Sequence, residues 1–186
     1  MIGIRVFNEA SYSYCSTQIN LDFFLGELKG LLHTFIKSIP EDYLYVDPND
    51  DAYGRETQPH VTILYGLDHD SDYEAIKSNP IVRRRPPIHL NLGRVISFRG
   101  TNPLYDVLAI EVNSIALTTL HYYLEMHYDN HNTFPRYRPH STIAYVKPGM
   151  GKELEGRWDL QGREITADKF WFSLRDGSQK VVEIGK

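Results

Sequence analysis

The sequence predicts an α+β fold of two lobes, each an antiparallel sheet with helices on its outer face, around a central cleft. Three observations predict it. The order strand, helix, loop, strand occurs twice. Both copies end on a strand that opens with Pro-His, PHVTILYGL at 59–67 and PHSTIAYV at 139–146. The period between them is long, which reads as a duplicated lobe rather than a solenoid. With 186 residues, 41% hydrophobic and 24% charged, the chain has an ordinary globular composition and can bury a core. Residues 1–186 are read as a single bilobal domain, one lobe centred on the His60 strand and the other on the His140 strand.

The elements run in order along the chain. Tyr12–Ile19 alternates, with Tyr12, Tyr14, Ser16 and Gln18 on one face, and predicts the first strand. Asn20 is expected to cap a helix running from Leu21 to Ile39. Leu21, Phe24, Leu25, Leu28, Leu32, Phe35 and Ile36 recur at helical spacing, and Pro40 stops it. Residues 41–59 carry Pro, Gly and an acidic run, and predict a long binding loop or lid. Ser71 with Glu74 predicts a short helix ending before Pro80, and Arg83–Pro87 a basic connector. Ile88–Phe98 and Leu104–Val112 predict strands joined through RGTNP. Ser114 caps a second helix with Leu117, Leu120, Leu124 and Tyr128 on one face. Ile165–Leu174 and Val181–Ile184 predict a terminal hairpin about Asp176 and Gly177.

A net charge of −4 argues against a long surface that coats nucleic acid, duplex DNA included, but allows a cleft for one or two phosphates. A lone cysteine, Cys15, permits neither a disulfide framework nor a cysteine zinc site within one chain, so a reducing compartment fits. The N-terminus lacks a signal-peptide core, and no stretch reaches ~18 apolar residues. These features predict a cytoplasmic protein with no membrane partner.

The chemistry lies in a repeated string, Pro-His-x-Thr-Ile-x-Tyr, at Pro59–Tyr65 and Pro139–Tyr145. On a strand, His60 and Thr62 share one face, as do His140 and Thr142. Ile63 with Tyr65, and Ile143 with Tyr145, are expected on the opposite face, packed under the helices. If the lobes face each other, two imidazole–hydroxyl pairs line one cleft. That suits phosphodiester chemistry. One imidazole removes a proton from the attacking hydroxyl or water, and the other protonates the leaving oxygen. An unperturbed pKa of ~6.5 lets one ring be neutral and the other charged. The threonines donate to the oxygens on which charge develops. No metal or cofactor is required.

These residues resemble the signature of the 2H phosphoesterase superfamily, two His-x-Thr/Ser motifs on symmetric lobes. The matching strings are His60-Val61-Thr62 and His140-Ser141-Thr142, 140 − 60 = 80 residues apart. The strand–helix order resembles the family along most of the chain; the loops at 41–58 and 147–164 fall outside the match. The resemblance implies a two-lobed cleft in which His60, Thr62, His140 and Thr142 are catalytic. The family includes 2′,3′-cyclic phosphate hydrolases, 2′,5′-oligoadenylate-degrading enzymes, RNA-end trimming enzymes and RNA ligase-like proteins. It also includes phage nucleases that destroy the cyclic oligonucleotide signals of bacterial anti-phage immunity (anti-CBASS nucleases). The chain looks most like the compact phage and bacterial members, so the expected partner is a cyclic oligonucleotide or other small nucleotide. The alternatives are an RNA-end or 2′,3′-cyclic phosphodiesterase, and a sponge that binds a cyclic nucleotide without cutting it.

Substrate contacts are expected from Tyr12 and Tyr14 on the polar face of the first strand. Arg138, in strand parity with His140, and Trp171, alternating with Phe170 and Phe172, are further candidates. His127 and His131 have i, i+4 spacing, but Asn130 and Asn132 mark a helix end there. Asp47, Asn49 and Asp51 lack the Gly and the distal Glu of a calcium loop. Arg83–Arg85 reads as a solvated linker.

Overall fold

The computed structural model describes residues 19–50, 52–69, 72–99, 102–132, 136–156 and 158–185. Tyr12, Tyr14 and all but the last residue of the strand expected at Tyr12–Ile19 lie outside the described residues. The strands are β1 (Ile19–Phe24), β2 (His60–Leu67), β3 (Ile88–Arg99), β4 (Asp106–Asn113), β5 (His140–Val146), β6 (Glu164–Ala167), β7 (Lys169–Ser173) and β8 (Gln179–Glu183). They form two four-stranded antiparallel sheets, β2-β1-β7-β8 and β5-β4-β3-β6. The helices are α1 (Lys29–Ser38), α2 (Asp72–Ser78), α3 (Pro80–Arg83) and α4 (Ile115–His127). The fold is α+β, with curled antiparallel sheets and their helices, as the sequence predicts.

The repeat is visible in the topology. β1-α1-β2 and β4-α4-β5 are equivalent runs, and each leaves its His-Thr strand at the edge of its own sheet. β2 and β5 lie against each other, so the sheets adjoin at these two strands. One continuous core joins both: Val61, Phe170 and Phe172 from the first sheet, Leu108, Ile110 and Ile143 from the second, Leu32 and Ile36 of α1, and Leu117, Leu120 and Leu124 of α4. Burial of these side chains holds the helices on one face of each sheet. α4 starts where the sequence predicts, because the Ser114 hydroxyl accepts the Leu117 N–H at 3.1 Å.

Four expectations are corrected. The helix read from Leu21 starts only at Lys29, after a 3-10 turn at Gly26–Leu28. Ile19–Phe24 is instead a strand, hydrogen-bonded on both sides to β2 and β7. The apolar residues of LDFF suit either period, and two pairing partners decide for the strand. The stretch Ile165–Leu174 is not one strand. It breaks at Asp168: β6 completes the second sheet beside β3, while β7 enters the first between β1 and β8. The connector expected at Arg83–Pro87 begins inside a helical turn, since α3 runs over Pro80–Arg83 and includes Arg83; the Asn79 side chain caps it by accepting the Ile81 N–H.

The fourth correction concerns the segment after Pro40, which is no free lid. Tyr45 N–H donates to Tyr145 O, Tyr145 N–H to Gly54 O, and Glu56 N–H to Ile143 O, at 2.8–3.0 Å. This strap covers the outer edge of β5 much as another strand would. Arg55 ties its end to α1 through Ile36 O at 3.0 Å and Ile39 O. Tyr45 and Tyr53 then pack against Tyr105 and Tyr145, with ring centroids 5.0–5.4 Å apart.

Candidate active site

Each histidine opens its strand and is set by the chain just before it. His60 Nδ1 lies 2.9 Å from Gln58 O, and His140 Nδ1 lies 2.8 Å from Arg138 O. A carbonyl can only accept, so Nδ1 is the donor in both rings. That fixes one tautomer and leaves Nε2 as the nitrogen that gains or loses a proton. The prolines between explain the geometry. Pro59 and Pro139 hold the preceding residue extended. Their own carbonyls accept from Leu25 N–H and Val112 N–H at 3.0 Å, equivalent positions at the ends of β1 and β4.

The threonines lie two residues further on and share the face of their histidines. Phe24 pairs with His60 and Asp22 with Thr62; Glu111 pairs with His140 and Ala109 with Thr142. Val61 and Ile63, and Ile143 beside fully buried Ser141, turn the other way, away from the site. Both imidazole–hydroxyl pairs therefore lie on the sheet faces opposite the helical core.

A β-bulge comes after each threonine, at the same motif position. Thr62 and Leu64 pair with the adjacent residues Asp22 and Leu21, so Ile63 is the extra residue. Thr142 and Ala144 pair with Ala109 and Leu108, so Ile143 is extra. A bulge increases twist and re-aims the side chains beyond it. It places Ile63 and Leu64 together in the core and returns Tyr65 to the Thr62 face. Likewise Tyr145 packs with Ala109 and Val107 on the Thr142 face, apart from Ala144 and Val146. This corrects the expectation that Tyr65 and Tyr145 pack under the helices. The signal for them was present, since the tyrosine recurs in both strings, but strict alternation assigned it to the wrong face.

The two bulge carbonyls are held differently. Ile143 O takes the Glu56 N–H of the strap. Ile63 O takes a side chain: His121 Nδ1, buried on α4, lies 2.6 Å from it. Next to it the Tyr137 hydroxyl donates to Thr62 O at 2.7 Å. The His121 and Tyr137 rings stack at 3.8 Å and 8°. The second repeat thus fastens the His-Thr strand of the first. Burial drives the His121 pKa below the usual histidine value, against the opposing effects of the Ile63 carbonyl and Glu125, whose Oε2 is 3.7 Å from Nε2. Nothing in local sequence marked His121 for this task; it is a contact between repeats.

The surroundings of the two imidazoles differ. The His60 ring meets Phe24 at 5.6 Å, and Phe24 meets Trp171 edge-on at 4.8 Å. The His140 ring meets Phe98 edge-on at 5.3 Å. Its cross-strand neighbour is Glu111, whose Oε2 is 3.2 Å from Arg94 Nε. Trp171 is half-buried on β7, while Phe170 and Phe172 are in the core. Arg138 is exposed two residues before β5 and supplies the carbonyl that holds His140. His127 Nδ1 is engaged by Tyr123 O at 2.7 Å, and His131 Nε2 sits 3.1 Å from Asp68 Oδ1. Among the described residues no cluster of three His, Cys, Asp or Glu has the arrangement of a metal site, and no helix is long and apolar enough to cross a membrane.

Paired His-x-Thr strands at the junction of two repeated sheets define a 2H phosphoesterase-type fold. The family model described as the 2′-5′ RNA ligase superfamily matches residues 35–179, and the chain belongs to that superfamily. The solved structure of Usb1 from Kluyveromyces marxianus shares the fold, with a TM-score of 0.58 and 11% sequence identity over 90% of this chain and 98% of that one. No curated protein sequence matches the chain.

Proposed function

We propose that this protein is a metal-independent phosphodiesterase that cuts a nucleotide phosphodiester bond, with a small cyclic oligonucleotide as its substrate. The observation that carries the reading is the matched anchoring of His60 and His140. Both rings have Nδ1 held by the carbonyl two residues upstream, and each is succeeded by a threonine on the same face. Two imidazoles of one tautomer can serve as base and acid in turn. One Nε2 takes the proton of a ribose 2′-hydroxyl as its oxygen bonds to phosphorus. The other, protonated, gives its proton to the departing 5′-oxygen as the P–O bond breaks. The product is a 2′,3′-cyclic phosphate, and water opens it with the two roles exchanged. The tethered nucleophile supplies proximity, which a metal would otherwise have to organise. Thr62 and Thr142 donate to the non-bridging oxygens as negative charge grows. The net charge of −4 favours a short ligand over a long polyanion.

The test is a panel of cyclic di- and trinucleotides, linear RNA and nucleoside 2′,3′-cyclic phosphates, read by mass spectrometry, with His60→Ala and His140→Ala alongside. Each substitution is expected to lower kcat by about 10²–10⁴. A 2′-deoxy linkage at the cut site should resist cleavage. Its rapid hydrolysis would mean that water attacks directly. Turnover of linear RNA ends alone would reject the cyclic substrate while leaving the two-histidine chemistry in place.

A further inference from the structure

Beside His60, on the side away from β5, a cavity of about 570 Å³ opens between the two sheets. It is lined by Phe24 and Trp171, by Gln58 and Pro59 directly before His60, and by Lys29, Lys169 and Asp168. Its position results from the chain crossing at Asp168, where β6 of one sheet passes into β7 of the other. The aromatic contacts form a continuous line from the site into it. His60 touches Phe24, Phe24 touches Trp171, and Lys169 Nζ stands 5.6 Å from the Trp171 ring.

The cavity chemistry differs from that of the surrounding chain. Its charged lining is two lysines and one aspartate, 2 − 1 = +1, in a protein of net charge −4. Flat aromatic faces with ammonium groups suit a nucleotide: a base stacks on the ring, and a phosphate takes the cations. The volume lies within the ~300–1,000 Å³ of ordinary small-ligand sites. A nucleoside 2′,3′-cyclic monophosphate reacting between His60 and His140 has its only phosphate at those histidines. It has no second phosphate for Lys29 and Lys169.

We propose that this cavity is the subsite for the nucleotide adjoining the scissile phosphate on the His60 side, with Trp171 under its base and Lys29 and Lys169 on its phosphate. The substrate then carries at least two phosphates, and the enzyme selects oligonucleotides over cyclic mononucleotides. This inference rests on the phosphodiesterase reading.

The test compares wild type with the double variant Lys29→Gln/Lys169→Gln. Both side chains are exposed, so the fold is expected to persist, which an unfolding midpoint verifies. The ratio of kcat/KM for a cyclic trinucleotide to that for a nucleoside 2′,3′-cyclic phosphate should fall about tenfold, near 1.4 kcal/mol. The salt dependence of trinucleotide KM should flatten. An unchanged ratio overturns the subsite. A second arm needs no turnover: binding of a 2′-deoxy cyclic trinucleotide, measured by calorimetry, to wild type, His60→Asn/His140→Asn and the lysine variant. Affinity weakened only in the lysine variant supports the subsite even if no substrate is cut, in which case the phosphodiesterase reading alone fails. Equal affinity in all three overturns the subsite.

Discussion

Replacing His121 by Phe isolates the bond that holds the bulge after Thr62. Phenylalanine keeps a ring to stack on Tyr137, now at 3.8 Å, but removes the N–H that reaches Ile63 O at 2.6 Å. Ile63 is fully buried, so its bulge carbonyl loses that donor where water cannot easily replace it. An unsatisfied buried acceptor costs about 1–3 kcal/mol. For a chain of this length each kcal/mol lowers Tm by about 2–4 °C. The cost should depend on pH. Burial lowers the folded-state pKa of His121, so below the unfolded value of ~6.5 the unfolded chain binds a proton that the native state refuses. Wild type therefore loses stability as pH falls from ~6.5 toward the folded pKa, and the variant lacks this contribution. The gap between them should be widest above about pH 7 and narrow toward pH 5.5. Urea unfolding of both proteins at pH 8, 7, 6 and 5.5 measures it. A variant as stable as wild type at pH 8, or a gap that does not change with pH, would refute the reasoning.

The remaining predictions concern the site. Thr62→Ser and Thr142→Ser should keep activity, whereas the near-isosteric Val variants should lose about 2–4 kcal/mol of transition-state stabilisation in kcat/KM; the opposite ranking would make these positions packing residues. Gly93 has no room for a side chain. A Cβ there would lie 2.7 Å from Glu111 Cβ and 3.1 Å from Glu111 O, so Gly93→Ala should cost about 1–3 kcal/mol on denaturation and lower kcat by displacing the residue paired with His140. Wild-type stability in the alanine variant would show that β3 yields there freely. Activity should survive millimolar EDTA without added magnesium; loss on chelation, restored by one divalent ion, would replace the two-histidine chemistry.

The sequence alone determined the parts of this protein that are local and duplicated. The Pro-His-x-Thr string needs only strand alternation to put an imidazole and a hydroxyl on one face, and its second occurrence raised a chance pattern to a pair. The Ser114 cap, the α4 leucines and the stop at Pro40 were legible because each acts within a few residues. Residues 19–24 were not, since their apolar spacing serves a helix as well as a strand. The hydrogen bonds of β2 and β7 on either side made the difference. The split at Asp168 and the strap over β5 were hidden for the same reason: pairing partners far along the chain decide them. The tertiary structure alone decided how the site is held. Bulges at Ile63 and Ile143 reverse the strand parity and bring Tyr65 and Tyr145 to the threonine side. His121 and Tyr137, 59 and 75 positions from Thr62 in the chain (121 − 62 and 137 − 62), secure the first bulge from the other repeat. A bulge carbonyl lacks a regular ladder partner, and which distant group meets it depends on how the two sheets pack, a relation that no local pattern encodes.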